Sequence, residues 1–234
     1  MVQKRLSAPK VYPIQRKGKK FVISTRPGPH SKETSIPLGV ILRDVLGYAK
    51  TMKEIKMILN TGQVMVDGRV RKDHRYPVGL FDVLGFKNMN KYYRMVPFRK
   101  GFKLVEVKKS ESGTKLCRIE NKTVLKGGKI QLNLSDGKNI IVEDGFSTKD
   151  SVLLQIPDLK VKQHIPRKKG SLGLFIRGVN RGRICTVKDF RKTRGPSPNL
   201  VTVDMDGKEM EVDENLIFIV GEKKPVITVG EQNE

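Results

Sequence analysis

The residues best placed to do chemistry in this chain are three cations on one short return strand. Arg69, Arg71 and Lys72 follow Val64–Val66 and the dipeptide Asp67-Gly68, which favours a two-residue hairpin turn. Guanidinium and ammonium groups held on so compact a hairpin suit charge-assisted hydrogen bonds to phosphate or carboxylate oxygens. Lys50, Lys53 and Lys56 lie just upstream and Arg75 just downstream. Catalysis has no comparable residues. His30, His74 and His164 are scattered without metal-ligand spacing, and no Ser, Cys or carboxylate falls into a recognisable nucleophile arrangement. "GGKI" at 127–130 lacks the Ser/Thr and the preceding glycine of a phosphate loop. "NKT" at 121–123 matches a glycosylation sequon, which means nothing without a secretory signal. No catalytic residue, metal site, cofactor or small-molecule substrate is expected.

The elements that must position these cations are legible nearby. In "SIPLGVILRDVLGYA", Leu38, Ile41, Leu42, Val45, Leu46 and Ala49 fall on one face of a helix. Ser35 is the expected cap, and Pro37 sits in the first turn, where a missing N–H costs nothing. A second helix is expected from Thr51, with Glu54 completing a capping box. Ile55, Ile58 and Leu59 form its buried side, and Gly62 supplies a left-handed C-cap. After the hairpin, "PVGLFDVLGF" predicts a turn at Gly79 and a strand through Val83 and Leu84.

From residue 87 to about 165 the pattern changes to short strands: "YYRMV", "FKLVEV", "LCRI", "IQLNL", "NIIV" and "VLLQI". Turn signals recur between them, including Asp136-Gly137, which favours an all-β module. Residues 110–116 predict a short helical turn, and "HIPRKKG" at 164–170 reads as a linker. Next, "LGLFI" alternates Leu172, Leu174 and Ile176. A glycine-bearing basic loop, "RGVNRGRICTV", runs into a strand, a hairpin turns at Asp206-Gly207, and "LIFIV" closes the set. Five or so short strands around one small core predict a little barrel.

Composition narrows the partner. The 234 residues hold 47 Lys plus Arg against 24 Asp plus Glu, a formal charge of +23. Such an excess favours a polyanion, with nucleic acid first and an anionic membrane surface second. The membrane reading fades, because no apolar run approaches the ~18 residues of a spanning segment and the N-terminus lacks a signal-peptide core. Cys117 and Cys185 have no CxxC partner and read as two buried thiols of a cytoplasmic protein. The charge is also uneven. Residues 1–35 carry nine cations and one acid, 160–195 twelve and one, while from 204 onward nine acids face three Lys. That points to two concentrated contact surfaces and an acidic end directed away from the polyanion. Residues 1–35 show no apolar period and read as an extended arm, poorly ordered until a partner binds.

The order helix, basic helix, "TGQVMVDGRV", "PVGLFDVL" resembles the alpha-L RNA-binding module. More widely, "KRLSAPKVY" with "RPGPHSKETSIPL", "LRDVLGYA", "VDGRVRKDHRYPVGLFDV", "QLNLSDGKNI" and "RGVNRGRI" resemble the S4e family of small-subunit ribosomal proteins, in its archaeal-length form. The C-terminal part resembles a KOW motif, a small SH3-like barrel, with Gly178 and Gly182 at its glycine-punctuated turn. Two positions depart from the family pattern: Cys185 stands where a further Gly is usual, and Tyr12 where Trp is common.

The resemblance implies an α+β chain, mostly β, in five parts. These are a basic N-terminal extension (1–35), an alpha-L RNA-binding module (36–86), a central β module (87–165), a KOW SH3-like barrel (166–220) and an acidic tail (221–234). It implies binding to small-subunit ribosomal RNA in the cytoplasmic ribosome, beside neighbouring small-subunit proteins and without catalysis. The arm is expected to neutralise phosphates through Lys4, Arg5, Lys10, Arg16, Lys17, Lys19 and Lys20. The helix–hairpin unit is expected to act through Arg43, Lys50, Lys53, Lys56, Arg69, Arg71, Lys72 and Arg75, with Arg43 alternatively paired to Asp44. The C-terminal loop is expected to add Lys168, Lys169, Arg177, Asn180, Arg181 and Arg183. Two rivals remain: an RNA-modifying enzyme targeted by an alpha-L module, and a transcription-associated KOW factor.

Overall fold

The computed structural model describes residues 3–230. Strands dominate and helices are few and short. The chain forms two compact units, one from residues up to Val96 together with Lys100–Lys115, the other from Pro97–Arg99 and Leu116 onward.

In chain order the first unit contains β1 (Gln3–Lys4), β2 (Phe21–Val22), β3 (Ile36–Pro37), α1 (Leu38–Val40), α2 (Met52–Asn60), β4 (Val64–Val66), β5 (Arg69–Val70), β6 (Pro77–Val78), β7 (Val83–Phe86), β8 (Lys91–Phe98), β9 (Gly101–Glu106) and α3 (Lys109–Ser112). Its main sheet has the order β5-β4-β7-β8-β9, so one sheet runs across residue 87 and carries the hairpin strands together with "YYRMV" and "FKLVEV". Buried apolar side chains from α1, α2, β4 and β7 share one core.

The second helix forms as its local signals require. Thr51 Oγ1 accepts from the Glu54 N–H while the Glu54 carboxylate accepts from the Thr51 N–H, a reciprocal capping box. Ile55 and Leu59 are fully buried, and Gly62 adopts φ +73°.

The first predicted helix is corrected. Ile36 and Pro37 instead pair with Val78 and Pro77 as strands. The first helical N–H groups find backbone carbonyls rather than a cap: Leu38 N–H donates to Tyr76 at 2.9 Å and Gly39 N–H to His74 at 2.8 Å. Ser35 Oγ donates to the Ser31 carbonyl. After one turn the helix widens to a π geometry over Ile41–Val45, with Leu46 N–H bonding Ile41 O. That extra residue per turn shifts the phase of the apolar stripe. Leu38, Ile41, Leu42 and Ala49 stay buried, whereas Val45 turns out to 41% exposure.

The arm is corrected as well. Ala8, Val11, Tyr12 and Val22 are buried in the first core, and β1 pairs with β2. Tyr12 packs at 3% exposure, which suits an apolar ring at this position. The segment is therefore part of the folded unit, because enough apolar surface is buried to offset the entropy of ordering it.

A buried ionic cluster absent from the sequence reading anchors the Asp67-Gly68 turn. Lys115 Nζ bonds Asp67 Oδ2 at 2.7 Å and also contacts Asp82, while His30 Nε2 lies 3.0 Å from Asp82 Oδ1. The second oxygens accept backbone N–H groups, Val83 onto Asp67 and Gly79 onto Asp82. Burial alone would raise the Asp82 carboxyl, but the His30 and Lys115 charges outweigh it and hold it well below the usual range. A Cβ at Gly79 would stand 2.4 Å from the His30 ring, so glycine is required for this approach.

The second unit holds two five-stranded sheets. The first contains β10 (Thr114–Val124), β11 (Ile130–Leu134), β12 (Asn139–Val142), β13 (Ser151–Gln155) and β14 (Lys160–Ile165), in the order β12-β11-β10-β13-β14. The other contains β15 (Leu172–Phe175), β16 (Ile184–Arg191), β17 (Leu200–Met205), β18 (Lys208–Asp213) and β19 (Ile217–Gly221), in the order β18-β17-β16-β15-β19. Three local expectations change here. The 110–116 turn is confined to α3 and gives way to β10 at Thr114. His164 and Ile165 pair with Val152 and Ser151, so the link begins only at Pro166. In "LGLFI", Phe175 is as buried as Leu174 because both faces of β15 are covered. Asp136-Gly137 closes the β11–β12 hairpin as its sequence suggests, with Leu134 N–H bonding Lys138 O.

Cys117 and Cys185 are buried free thiols. Cys185 is a strand residue opposite Gly173, and burial pushes its thiol up to about 12. A Cβ on Gly173 would stand 3.1 Å from the Cys185 sulfur, so the glycine across the ladder makes the room for this thiol. In the acidic tail, Ile227 and Val229 are buried, so its described part packs rather than extends. Residues 231–234 lie outside the described residues.

Candidate nucleic-acid interface

α2 and its capped entry display Lys50, Lys53 and Lys56 at intervals of three residues, all exposed. Side chains three apart are neighbours on a helix surface, so Lys53 and Lys56 adjoin one another on α2, while Lys50 precedes the cap Thr51. None makes an ion pair with a described residue. The helix start adds its dipole and its N–H groups to the same field.

The arm returns to this side. Lys17 and Lys19 line an open concavity of about 440 Å³ together with Arg5, Arg43 and Lys50. Lys4, Lys10 and Lys20 are exposed as well. Arg5 and Arg16 act differently. Arg5 Nη1 donates to the Gln15 carbonyl at 2.8 Å, and Arg16 reaches the carbonyls of Ala8 and Pro9 at 2.5 and 2.8 Å. Both guanidinium groups hold the arm's own loop in shape, which keeps the lysines in place.

Arg43 pairs with Asp44 through two hydrogen bonds, Nε to Oδ1 at 3.1 Å and Nη2 to Oδ2 at 2.8 Å. It forms a common wall between the first concavity and a second cleft lined by Phe21, Ile23, Met52, His74 and Arg75. The hairpin cations line neither. Arg69 and Lys72 are exposed at the return strand, and Arg71 lies 4.4 Å over the Tyr76 ring. Arg75 Nε donates to the Ser24 carbonyl at 3.0 Å.

The C-terminal candidates belong to the second unit. Gly178 and Gly182 take φ +84° and +88°, a backbone that favours glycine. Arg177 and Arg183 are exposed beside them, and Lys168 is exposed at the opposite end of the β15–β16 hairpin. Lys169 is paired with Asp189 at 2.7 Å. Asn180 Nδ2 points at the Met210 sulfur. Arg181 is half-buried, and burial together with Arg177 brings its guanidinium down to about 10.

Sequence reasoning missed Phe21, Met52 and His74. Phe21 carried one weak signal, a lone aromatic closing the run "KGKK". Among the described residues, no group of three or more His, Cys, Asp or Glu is arranged to hold a metal ion. No helix among the described residues is long and apolar enough to cross a membrane.

The family model described as "Ribosomal family S4e" matches residues 89–161, and one described as "RS4NT (NUC023) domain" matches residues 3–33. "Small ribosomal subunit protein eS4" of Archaeoglobus fulgidus is 44% identical over 231 residues, covering 97% of each chain. The protein of that name from Methanocella arvoryzae is 43% identical, covering 96% of this chain and 95% of its own. The crystal structure of the 30S ribosomal protein S4e from Thermoplasma acidophilum superposes with a TM-score of 0.72 at 24% identity, over 85% of this chain and 100% of that one. With such identity sustained end to end, the chain belongs to the S4e family of small-subunit ribosomal proteins.

Proposed function

We propose that this protein is a structural constituent of the small ribosomal subunit in the cytoplasmic ribosome, where it binds small-subunit ribosomal RNA beside neighbouring ribosomal proteins. Its part is architectural rather than catalytic. Within it, residues 36–86 act as an alpha-L RNA-binding module and 166–220 as a KOW SH3-like barrel. Residues 1–35 form a basic segment folded into the first unit, the strands of 87–165 divide between that unit's sheet and the β10–β14 sheet, and 221–234 form an acidic tail.

The observation that carries the reading is the meeting of Lys17 and Lys19 from the arm with Lys50 of the helix entry around one concavity. Lysines converging on a hollow whose lining carboxylate, Asp44, is already taken up by Arg43 suit the phosphates of a folded RNA strand, because each neutralised phosphate releases condensed counterions. Shape fits too. A-form helices hide their base edges in a deep groove, so a rigid positive surface recognises fold more than sequence. The Arg69–Lys72 return strand provides a second edge, and Lys168, Arg177 and Arg183 a third contact in the other unit.

Sucrose-gradient sedimentation with RNA crosslinking is the test. The protein is expected to travel with small subunits and to crosslink through the arm and α2. On its RNA the log–log salt slope is expected to reach at least about −6. A slope near zero would remove phosphate neutralisation as the driving force.

A further inference from the structure

The second cleft of the first unit differs in kind from the basic concavity beside it. Its volume is about 320 Å³, at the small end of the roughly 300–1,000 Å³ found for ligand clefts. Phe21 and Met52 supply apolar wall, while Arg43, His74 and Arg75 supply flat polar groups.

Phe21 is 51% exposed, although its ring has no polar group to reward solvent contact. Lys20 Nζ stands 5.5 Å from its centroid, which sets the ring among cations. The Arg43 guanidinium donates two hydrogen bonds along its edge to the Asp44 carboxylate. An edge-on carboxylate offsets much of the charge yet leaves the flat faces able to stack. Burial pushes the His74 imidazole below its ordinary value, and Lys56 adds to this against Asp73, so the ring is a neutral plane at pH 7.

A phosphate site needs donors and gains nothing from Phe21 or Met52. A merely solvated face needs neither an exposed phenyl ring nor an edge-locked guanidinium. A flat, apolar-faced ligand carried on a polyanionic strand uses all of them.

We infer that the cleft between Phe21, Met52 and His74 receives an unpaired RNA base, stacked on Phe21 and on the open face of Arg43, while Lys17, Lys19 and Lys50 hold phosphates of the same strand. This rests on the RNA-binding reading and deepens it: the interface reads local strand state as well as charge. Bases in a duplex are already stacked and cannot enter, whereas bases of loops and bulges can.

The full chain is titrated with two labelled RNAs, a short unstructured oligouridylate and a blunt A-form duplex. Phe21→Ala is expected to weaken oligouridylate binding roughly 5- to 150-fold, the range of aromatic–base stacking, and to leave duplex binding within about twofold. Phe21→Tyr is expected to retain wild-type affinity for both. Arg43→Lys keeps the charge and loses the plane, so it is expected to weaken the oligouridylate alone, with an unchanged salt slope. If Phe21→Ala and Arg43→Lys weaken both RNAs alike, or neither, the base-stacking cleft is overturned while RNA binding stands. A wild-type chain that binds neither RNA would overturn the RNA-binding reading and this inference with it.

Discussion

Asp67-Gly68 and Asp206-Gly207 are the same dipeptide in the same two-residue turn, with both residues at positive φ in each. Their surroundings differ. Asp67 is 9% exposed and bound by Lys115 and by the Val83 N–H. Asp206 is exposed, and the local bond there runs from the Gly207 N–H to Asp204.

The surface charges of the segments that carry the two turns differ in the same sense. Beside the first turn, Arg69 and Lys72 make no ion pair with a described residue, and the same holds for Lys53 and Lys56 on the preceding α2. Near the second, Lys188 pairs with Asp204 and Glu209, and Arg191 faces Glu211. The dipeptide determines the turn. What the turn is anchored to, and whether neighbouring cations are answered by acids, determines whether a positive field is held in a fixed place. Charge count alone does not identify an interface.

The comparison can be broken, and the largest effect comes first. Lys115→Met leaves Asp67 and Asp82 buried without their ammonium and is expected to cost about 3–5 kcal/mol. Urea unfolding followed by amide exchange in residues 64–86 reads it. In the same experiment Asp206→Asn is expected to stay within about 0.5 kcal/mol, and equal losses at the two sites would erase the distinction between the turns.

Replacing Lys50, Lys53 and Lys56 together by Ala is expected to reduce the salt slope of RNA binding by about 2–3. Replacing Lys188 and Arg191 is expected to leave the slope unchanged, because those charges are already paired. A like change in both variants would show that pairing is irrelevant to the field.

The pH dependence sharpens the anchor. Folding lowers the Asp82 pKa from its ordinary 3.8, so native Asp82 holds its charge where the unfolded chain takes up a proton. Its contribution is fully present above about pH 4 and declines as pH falls below that toward the depressed folded value. The stability gap between wild type and Asp82→Asn is therefore expected to narrow as pH falls below about 4. A gap that widens on acidification would contradict the assignment.

The smallest effect is at the helix that carries the lysines. Thr51→Ala removes the side-chain half of the capping box and is expected to cost about 1 kcal/mol, read from amide exchange at the start of α2.

Legibility followed the range of the interactions involved. α2 was readable end to end, since Thr51, Glu54 and Gly62 act within a few residues of the backbone they cap. The six strand segments from "YYRMV" to "VLLQI" were readable from the turn signals that separate them. The helix expected over 35–49 was not, because Ile36 and Pro37 have strand partners some forty residues on, at Pro77 and Val78. The arm read as disordered because its apolar residues have no period, although Ala8, Val11 and Tyr12 fill spaces in a core made by other segments. Sequence points to the exposed cations, but equally to Arg5, Arg16 and Lys169, whose donors are engaged within the protein. Side-chain type announces a charge, and only neighbours distant in the chain reveal whether it is already answered.

By itself, the sequence determined the net positive charge, the places where the chain turns, the capped basic helix and the β-rich character, all properties of single residues or short windows. Tertiary structure alone decided that Lys115 would lock the first hairpin, that the arm would fold back to set Lys17 and Lys19 beside Lys50, and that Phe21 and Arg43 would share a cleft. The physical reason is that burial and ion pairing are energies between groups, and these groups meet only when the fold has closed.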